Sequence, residues 1–192
     1  VQNFDFMVAD SDAKVINKYP KLPFLCLGIT KLAGMACGSP ANGQLSAKAS
    51  SKEIQKALHG YKELVLVLGL GGGCGTGAVG EIIMLAKKMK ICVHVLTTLP
   101  FSFETRQRKN ALKYKDQIRQ LADSFHEFDN QLYSDQQIAI DKDLTMMQFF
   151  QLIHKDMLDF IVSTIVKQEA STWYLSGKPV ILHWKNRRIS AM

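Results

Sequence analysis

The sequence predicts an α/β protein built on a doubly wound, mostly parallel sheet. Three observations carry that prediction. Apolar runs of strand length occur at 64–68 and 91–96, and each is bounded by turn residues or by helical, lysine-bearing sequence. Between them lie a glycine loop and a helix, which makes a βαβ unit with a right-handed crossover. The alternating segment Phe4-Asp-Phe-Met-Val-Ala9 ends in the polar Asp10-Ser11-Asp12, and open α/β sheets bind ligands at the C-terminal ends of their strands.

The chain has 192 residues and is 47% hydrophobic, enough for one well-buried domain and short for two. Residues 64–80 carry no charge, but their glycines fit a buried strand and loop rather than a membrane span. The opening Val1-Gln-Asn-Phe-Asp5 lacks the basic segment of a signal peptide, so the expected compartment is the cytoplasm. Cys26, Cys37, Cys74 and Cys92 share no C-x-x-C spacing and read as buried, reduced thiols. His59, His94, His126, His154 and His183 are scattered, and no metal site is expected. The net charge of +7 raises a nucleic-acid reading. Its lysines and arginines are spread over several helices, with modest clusters at 106–115 and 185–188 and no regular interleaving of aromatics, Tyr114 being the single one within them. Solvated helix faces account for them, and no nucleic-acid partner is expected.

The stretch Gly69-Leu-Gly-Gly-Gly-Cys-Gly-Thr-Gly77 carries the chemistry. Six glycines in nine residues remove side chains, permit positive φ and let the backbone approach a ligand closely. Packing alone does not call for such a run. The N–H groups of such a loop form an anion nest, and the next helix adds unpaired N–H groups and the positive end of its dipole. The expected guest is a phosphate, held by Gly71, Gly72, Gly73, Cys74, Gly75, Thr76 and Gly77. A Walker A loop needs Lys and Ser/Thr after its last glycine, but Ala78-Val79 follow here. Gly75-Thr-Gly-Ala-Val-Gly80 matches G-x-G-x-x-G. The dinucleotide reading also wants an acidic residue about 20 positions on, and the next strand ends in Thr97-Thr98.

Together with Leu99-Pro-Phe-Ser-Phe-Glu104, this loop resembles the FtsZ/tubulin family of filament-forming GTPases. The resemblance implies a Rossmann-like domain that binds GTP or GDP, with Mg2+ as a possible companion. It assigns the phosphates to the loop, the ribose to Glu104 and the terminal phosphate to Arg108. It also places Asn130 on the asparagine of the family's P-N-D turn. Arg106, Arg108 and Lys109 on the first turns of the helix after Glu104 oppose its dipole unless an anion offsets them. Asp12 falls on the N-T-D turn of the family's second strand, and reads equally as the N-cap of a helix at 13–17. Phe150 stands near the aromatic that stacks on guanine, and reads equally as core. Among the polar residues after it, only Asp156, by a register shift, offers an acceptor pair for the base.

A second glycine loop of the family is matched in part by Ser39, Pro40 and Gly43. Met35 and Cys37 stand where glycines are expected, and Ala41 replaces a glutamate, which puts close approach to the γ-phosphate in question. Further strands are expected at 23–27 and 123–128, and a helix at 45–58 with Gly60 as its C-cap. A helix at 143–167, apolar around most of its circumference, is expected to be buried on more than one side. Thr145 and Gln148 propose a capping box at its start.

The family's first strand would precede Phe4, and in the order 3-2-1-4-5-6 it is central. Without it two half-sheets would face each other with unpaired edges. Two resolutions stay open: the chain, which opens on Val1, is a fragment of a longer product, or a late strand in Lys178-Pro-Val-Ile-Leu-His-Trp184 fills the gap. The family's acidic N-x-x-D-x-x-D loop has no counterpart up to Met192, which implies weak or partner-dependent hydrolysis.

The expected organisation is a nucleotide-binding domain at 1–167 and a divergent tail at 168–192 with one strand. The family's role in cell division or a prokaryotic cytoskeleton implies head-to-tail self-association or pairing with a full-length homologue, without insertion into a membrane. A second reading is a non-catalytic relative that modulates a homologue's filaments through the apolar face of the 143–167 helix. A third, a dinucleotide-dependent enzyme, keeps only the match at 75–80.

Overall fold

Six parallel strands make one sheet, in the spatial order second, first, sixth, third, fourth and fifth along the chain. The computed structural model describes residues 5–28, 33–140, 143–166 and 180–184. Strand β1 is Asp5–Asp10, β2 Phe24–Cys26, β3 Glu63–Gly69, β4 Cys92–Leu99, β5 Ser124–Asp129 and β6 Val180–Trp184. The helices are α1 Pro40–Ala49, α2 Ser51–Ala57, α3 Cys74–Lys88, α4 Thr105–Leu121, α5 Asn130–Ile140 and α6 Met146–Phe160. Among the described residues no helix is long and apolar enough to cross a membrane.

The gap at the centre of the sheet is filled by the late strand. Val180 of β6 lies opposite Asp5 of β1 on one side and Leu64 of β3 on the other. Both inner edges thereby gain a ladder for their N–H and C=O groups.

Strand β3 explains why its sequence is an unbroken apolar run. Leu64, Leu66 and Leu68 join one buried cluster with Ile82, Ile83 and Ala86 of α3, while Val65 on the opposite face joins Leu96, Phe149, Ile153 and Met157. A strand covered by helices on both faces has no polar side.

Two helix starts differ from expectation in a way that matters for the site. Helix α1 begins at Pro40 rather than near residue 45, because Ser39 caps it by accepting the Asn42 N–H at 3.3 Å and Pro40 suits the first helical position. Helix α3 begins directly after Gly73, so half of the glycine run is helical. There the glycines do serve packing. A Cβ on Gly77 would lie 1.9 Å from the Pro40 carbonyl oxygen, and one on Gly43 would lie 2.3 Å from the Gly73 oxygen. Helices α1 and α3 cross backbone to backbone.

Helix α6 starts as its capping box predicts, with Thr145 and Gln148 bonded reciprocally. It continues as a wider π-type turn over Ile161–Val166. Phe149, Ile153, Met157 and Ile161 form its buried stripe, whereas Met147 is 74% and Leu158 49% exposed. Burial on more than one side is not observed among the described residues, because the sheet and α5 cover a single face. Helix α5 is an element the sequence reading lacked, since its apolar residues do not make a clear helical stripe.

Candidate functional site

Because all six strands are parallel, their C-terminal ends share one rim, and the loops that follow β1, β3, β4 and β5 converge there. The main glycine loop is anchored at both ends. Leu70 N–H donates to the Thr98 carbonyl at 3.0 Å, holding the chain beside β4. Gly71 adopts φ +102°, and its N–H donates to Thr76 Oγ1 at 2.7 Å, so the first turn of α3 closes the loop from within. A Cβ on Gly71 would meet the Gln107 carbonyl oxygen at 2.4 Å; only glycine permits that approach to α4.

The first helical bond of α3 runs from Gly77 N–H to the Gly73 carbonyl at 3.0 Å. The N–H groups before it have no partner within the helix. They sit at the positive end of a 15-residue helix.

The second glycine loop meets the first at Gly73. A Cβ placed there would lie 2.9 Å from the Ser39 nitrogen, 3.1 Å from the Gly38 nitrogen and 3.2 Å from Cys37 Cβ. The β1 turn braces this junction. Cys37 N–H donates to Ser11 Oγ at 3.0 Å, Asp10 Oδ1 accepts the Asp12 N–H, and Asp12 Oδ1 accepts the Lys14 N–H at 2.9 Å. Asp12 therefore caps the 3-10 turn Ala13–Lys18, the plainer of its two expected roles. The Cys37 thiol is lowered to about 6, chiefly by a hydrogen bond from Cys74 that outweighs burial, with help from the Ser11 and Ser46 hydroxyls. The same bond, and after it burial, push Cys74 up.

Around the remaining rim, Glu104 Oε2 accepts the Phe101 N–H at 3.0 Å. Arg108 donates to both oxygens of Asp129, at 3.0 and 2.8 Å, and to the Pro100 carbonyl. The arginine that resemblance assigns to a terminal phosphate is thus held in this structure as a tie between α4 and the end of β5. Burial would raise the Asp129 carboxyl, but Arg108 and the N–H groups of Gln131 and Leu132 hold it below the usual carboxylate range.

Asn130 opens α5 next to this pair and is only 7% exposed. Its Oδ1 has no hydrogen-bond partner among the described residues. A buried acceptor left open is uncommon in a folded protein, and it fits an N–H or O–H group of a ligand. Phe150 is half-buried in an aromatic cluster, its ring 5.3 Å from Phe149 and 6.3 Å from Phe101. Asp156 is engaged by the Tyr133 hydroxyl at 2.5 Å.

The fold thus gathers Gly71, Gly72, Gly73, Cys74, Asp12, Glu104 and Asn130 on one rim. Gly75 and Gly77 are turned inside α3, and Gly77 serves the α1–α3 contact. Asp129 was missed by sequence reading, although its place at a strand's end beside Asn130 was available as a signal. The close approach of the two loops at Gly73, with the Ser39 and Gly38 nitrogens and Cys37 Cβ around the place of a Cβ, and the open Asn130 oxygen together fit a phosphate-bearing nucleotide.

Comparison with known proteins shows the kinship of the chain. Residues 2–136 match the Tubulin/FtsZ family, GTPase domain. The chain is 26% identical over 195 residues to the cell division protein FtsZ of Neisseria gonorrhoeae, covering all of this chain and 49% of that protein. It is 35% identical over 113 residues to cell division protein FtsZ 1 of Thermococcus kodakarensis, covering 58% of this chain and 30% of that one. The chain therefore spans about half, or less, of the curated relatives it matches. An empty FtsZ dimer from M. jannaschii superposes with a TM-score of 0.70 at 20% identity, over 87% of this chain and 55% of that one. GDP-bound CetZ1 from Haloferax volcanii superposes with a TM-score of 0.68 at 17% identity, over 82% and 58%. At these identities the superpositions show the fold, and the family match, which covers most of the chain, shows the kinship: this chain belongs to the tubulin/FtsZ family, through its GTPase domain.

Proposed function

We propose that this chain binds a guanine nucleotide, GTP or GDP, at the rim between the two glycine loops. It acts in the cytoplasm in cell division or a related prokaryotic cytoskeleton, joining filaments by self-association or on a full-length homologue. Hydrolysis is weak by itself or depends on a partner. The observation that carries the binding reading is the close meeting of the loops at Gly73, where the Ser39 and Gly38 nitrogens lie 2.9 and 3.1 Å, and Cys37 Cβ 3.2 Å, from the place a Cβ would take, beside the N-terminus of α3. Phosphate charge, with or without Mg2+, would satisfy those N–H groups and offset the cations on the first turns of α4. Glu104 and Asn130 stand on the same rim as acceptors for ribose and base, and Phe150 as a ring against which a base can stack.

The test is binding of a fluorescent GTP analogue to the purified chain, with ATP as competitor and Gly73→Val as control. The variant's side chain would have to share space with the Ser39 and Gly38 nitrogens. The expected result is displacement by GTP and not by ATP, and loss of binding in the variant. No binding to a chain that circular dichroism shows to be folded would refute the nucleotide reading.

A second reading is favoured by the exposed apolar side chains of α6, Met146, Met147 and Leu158, and by Val162 just beyond them. In it the chain modulates the filaments of a full-length homologue through that face. Co-sedimentation separates the two: a modulator changes filament mass without turning over GTP itself.

A further inference from the structure

The opposite rim, at the N-terminal ends of β3, β4 and β5, holds a second cluster of chemistry-bearing side chains. Glu63 and Cys92 lie opposite each other in the β3–β4 ladder, and His94 follows two residues after Cys92 on the same face of β4. That spacing keeps all three side chains on one side of the pleat. His94 Nε2 lies 2.8 Å from Glu63 Oε2 and 3.6 Å from Cys92 Sγ, and the three donor atoms are all within 4.8 Å of one another. The ring is fixed from behind, where Nδ1 lies 2.7 Å from Ser124 Oγ on β5.

We infer that Glu63, Cys92 and His94 form a binding site for a borderline divalent transition ion, zinc above all, with the fourth position left to water. It stands apart from the nucleotide rim and does not depend on that reading.

Three arguments carry it. The first is geometric. With Zn–N and Zn–O bonds of about 2.1 Å and a Zn–S bond of about 2.3 Å, the edges of a tetrahedron are about 3.6 Å for N···S and about 3.4 Å for N···O. The observed N···S separation already has that value, and the N···O edge reaches its own when the Glu63 carboxylate swings about half an ångström away from the ring. The second is the donor set. A thiolate, an imidazole and a carboxylate bring two negative charges to a dication, and sulfur with nitrogen selects zinc-like ions over magnesium or calcium. The third is the outer partner. Ser124 Oγ accepts equally well from Nδ1–H or donates to a bare Nδ1. Nε2 can therefore give up the proton it shares with Glu63 and present its lone pair to a metal, with Nδ1–H held by the serine. Asp123 stands nearby but is committed to Lys87 and to the Val93 N–H, so three protein ligands and a solvent-side position describe the site.

The sequence could not show this, since its ligands come from two strands that only register brings together. The ion would clip β3 to β4, with the Ser124 contact extending the link to β5.

Cobalt(II) titration of the reduced chain tests the inference. Expected are one equivalent bound per chain, an intense thiolate-to-cobalt charge-transfer band, visible bands of tetrahedral strength, and displacement by zinc but not by magnesium. Cys92→Ser should lose the charge-transfer band while keeping its circular dichroism, and Ser124→Ala should weaken binding about tenfold. Zinc should raise the melting temperature over that in chelator. X-ray absorption of the zinc-loaded native chain, which needs no variant, should show one sulfur among nitrogen and oxygen neighbours. Absence of a thiolate band, its persistence in Cys92→Ser, or a zinc shell with no sulfur or with two would overturn the assignment.

Discussion

Arg108 and Asp129 face each other as two parallel hydrogen bonds, Nη1 to Oδ1 at 3.0 Å and Nη2 to Oδ2 at 2.8 Å, with the carboxylate side chain only 11% exposed. The pair fastens α4 to the end of β5, and so sets where Glu104 and Asn130 stand relative to the glycine loops. Asp129→Asn keeps the shape and removes the charge. It should cost about 1.5–3 kcal/mol of stability, the usual worth of a hydrogen bond to a charged group. Urea unfolding at neutral pH measures it.

The same pair predicts an acid sensitivity. Asp129 is held below the ordinary carboxylate value, so the unfolded chain takes up the proton first as the pH falls. The pair's contribution is full above about pH 4, near the unfolded carboxylate value, and is lost as the pH drops through the lower folded value. Unfolding free energies collected from neutral pH downward should fall less steeply below that point in Asp129→Asn than in the native chain.

Two glycines of one helix should respond in opposite directions. In Gly77→Ala the new methyl would overlap the Pro40 carbonyl oxygen at 1.9 Å and the Gln44 nitrogen at 2.8 Å. That overpacking should destabilise the chain by about 1–3 kcal/mol. A Cβ on Gly80 meets nothing closer than Leu121 Cδ1 at 3.8 Å, so Gly80→Ala should gain about 0.5–1 kcal/mol from helix propensity. Thermal melts of the two variants make the comparison.

Asn130→Ala removes an acceptor that nothing in the described chain satisfies. Its cost to stability should be small, while affinity for the nucleotide should fall about tenfold, one hydrogen bond's worth. Equal affinity in variant and native chain would show that the open oxygen does not face the ligand.

Cys37 stands at the junction of the two loops with its thiol held below the ordinary value by the hydrogen bond from Cys74. The thiolate is the reactive form, so whatever alkylation reaches this buried thiol should level off at a lower pH than that of an ordinary cysteine. Saturating nucleotide should slow it. Mass spectrometry of the modified peptide follows both effects.

Much of this architecture was legible in the chain because it rests on local rules. Thr145 and Gln148 spell a capping box that the structure contains, and the apolar run at 64–68 is a two-faced central strand as its lack of alternation implies. The glycine loop was legible as a place of close backbone approach because removal of side chains is itself the signal. Its boundary was not, since the choice between loop and helix for Gly75 and Gly77 depends on α1 lying against α3. Among the described residues only one face of α6 is covered, because an apolar circumference says what a helix can bury and not what lies against it.

The sequence by itself determined the parallel α/β class, the family, and the rim where the glycine loops gather, because strand period, glycine and caps act over a few residues. Only the tertiary structure decided which strand completes the sheet and which side chains meet across it. Val180–Trp184 lies between Asp5–Asp10 and Glu63–Gly69, and Glu63 meets His94, because unpaired edges must find ladders and the register of those ladders juxtaposes residues far apart in the chain.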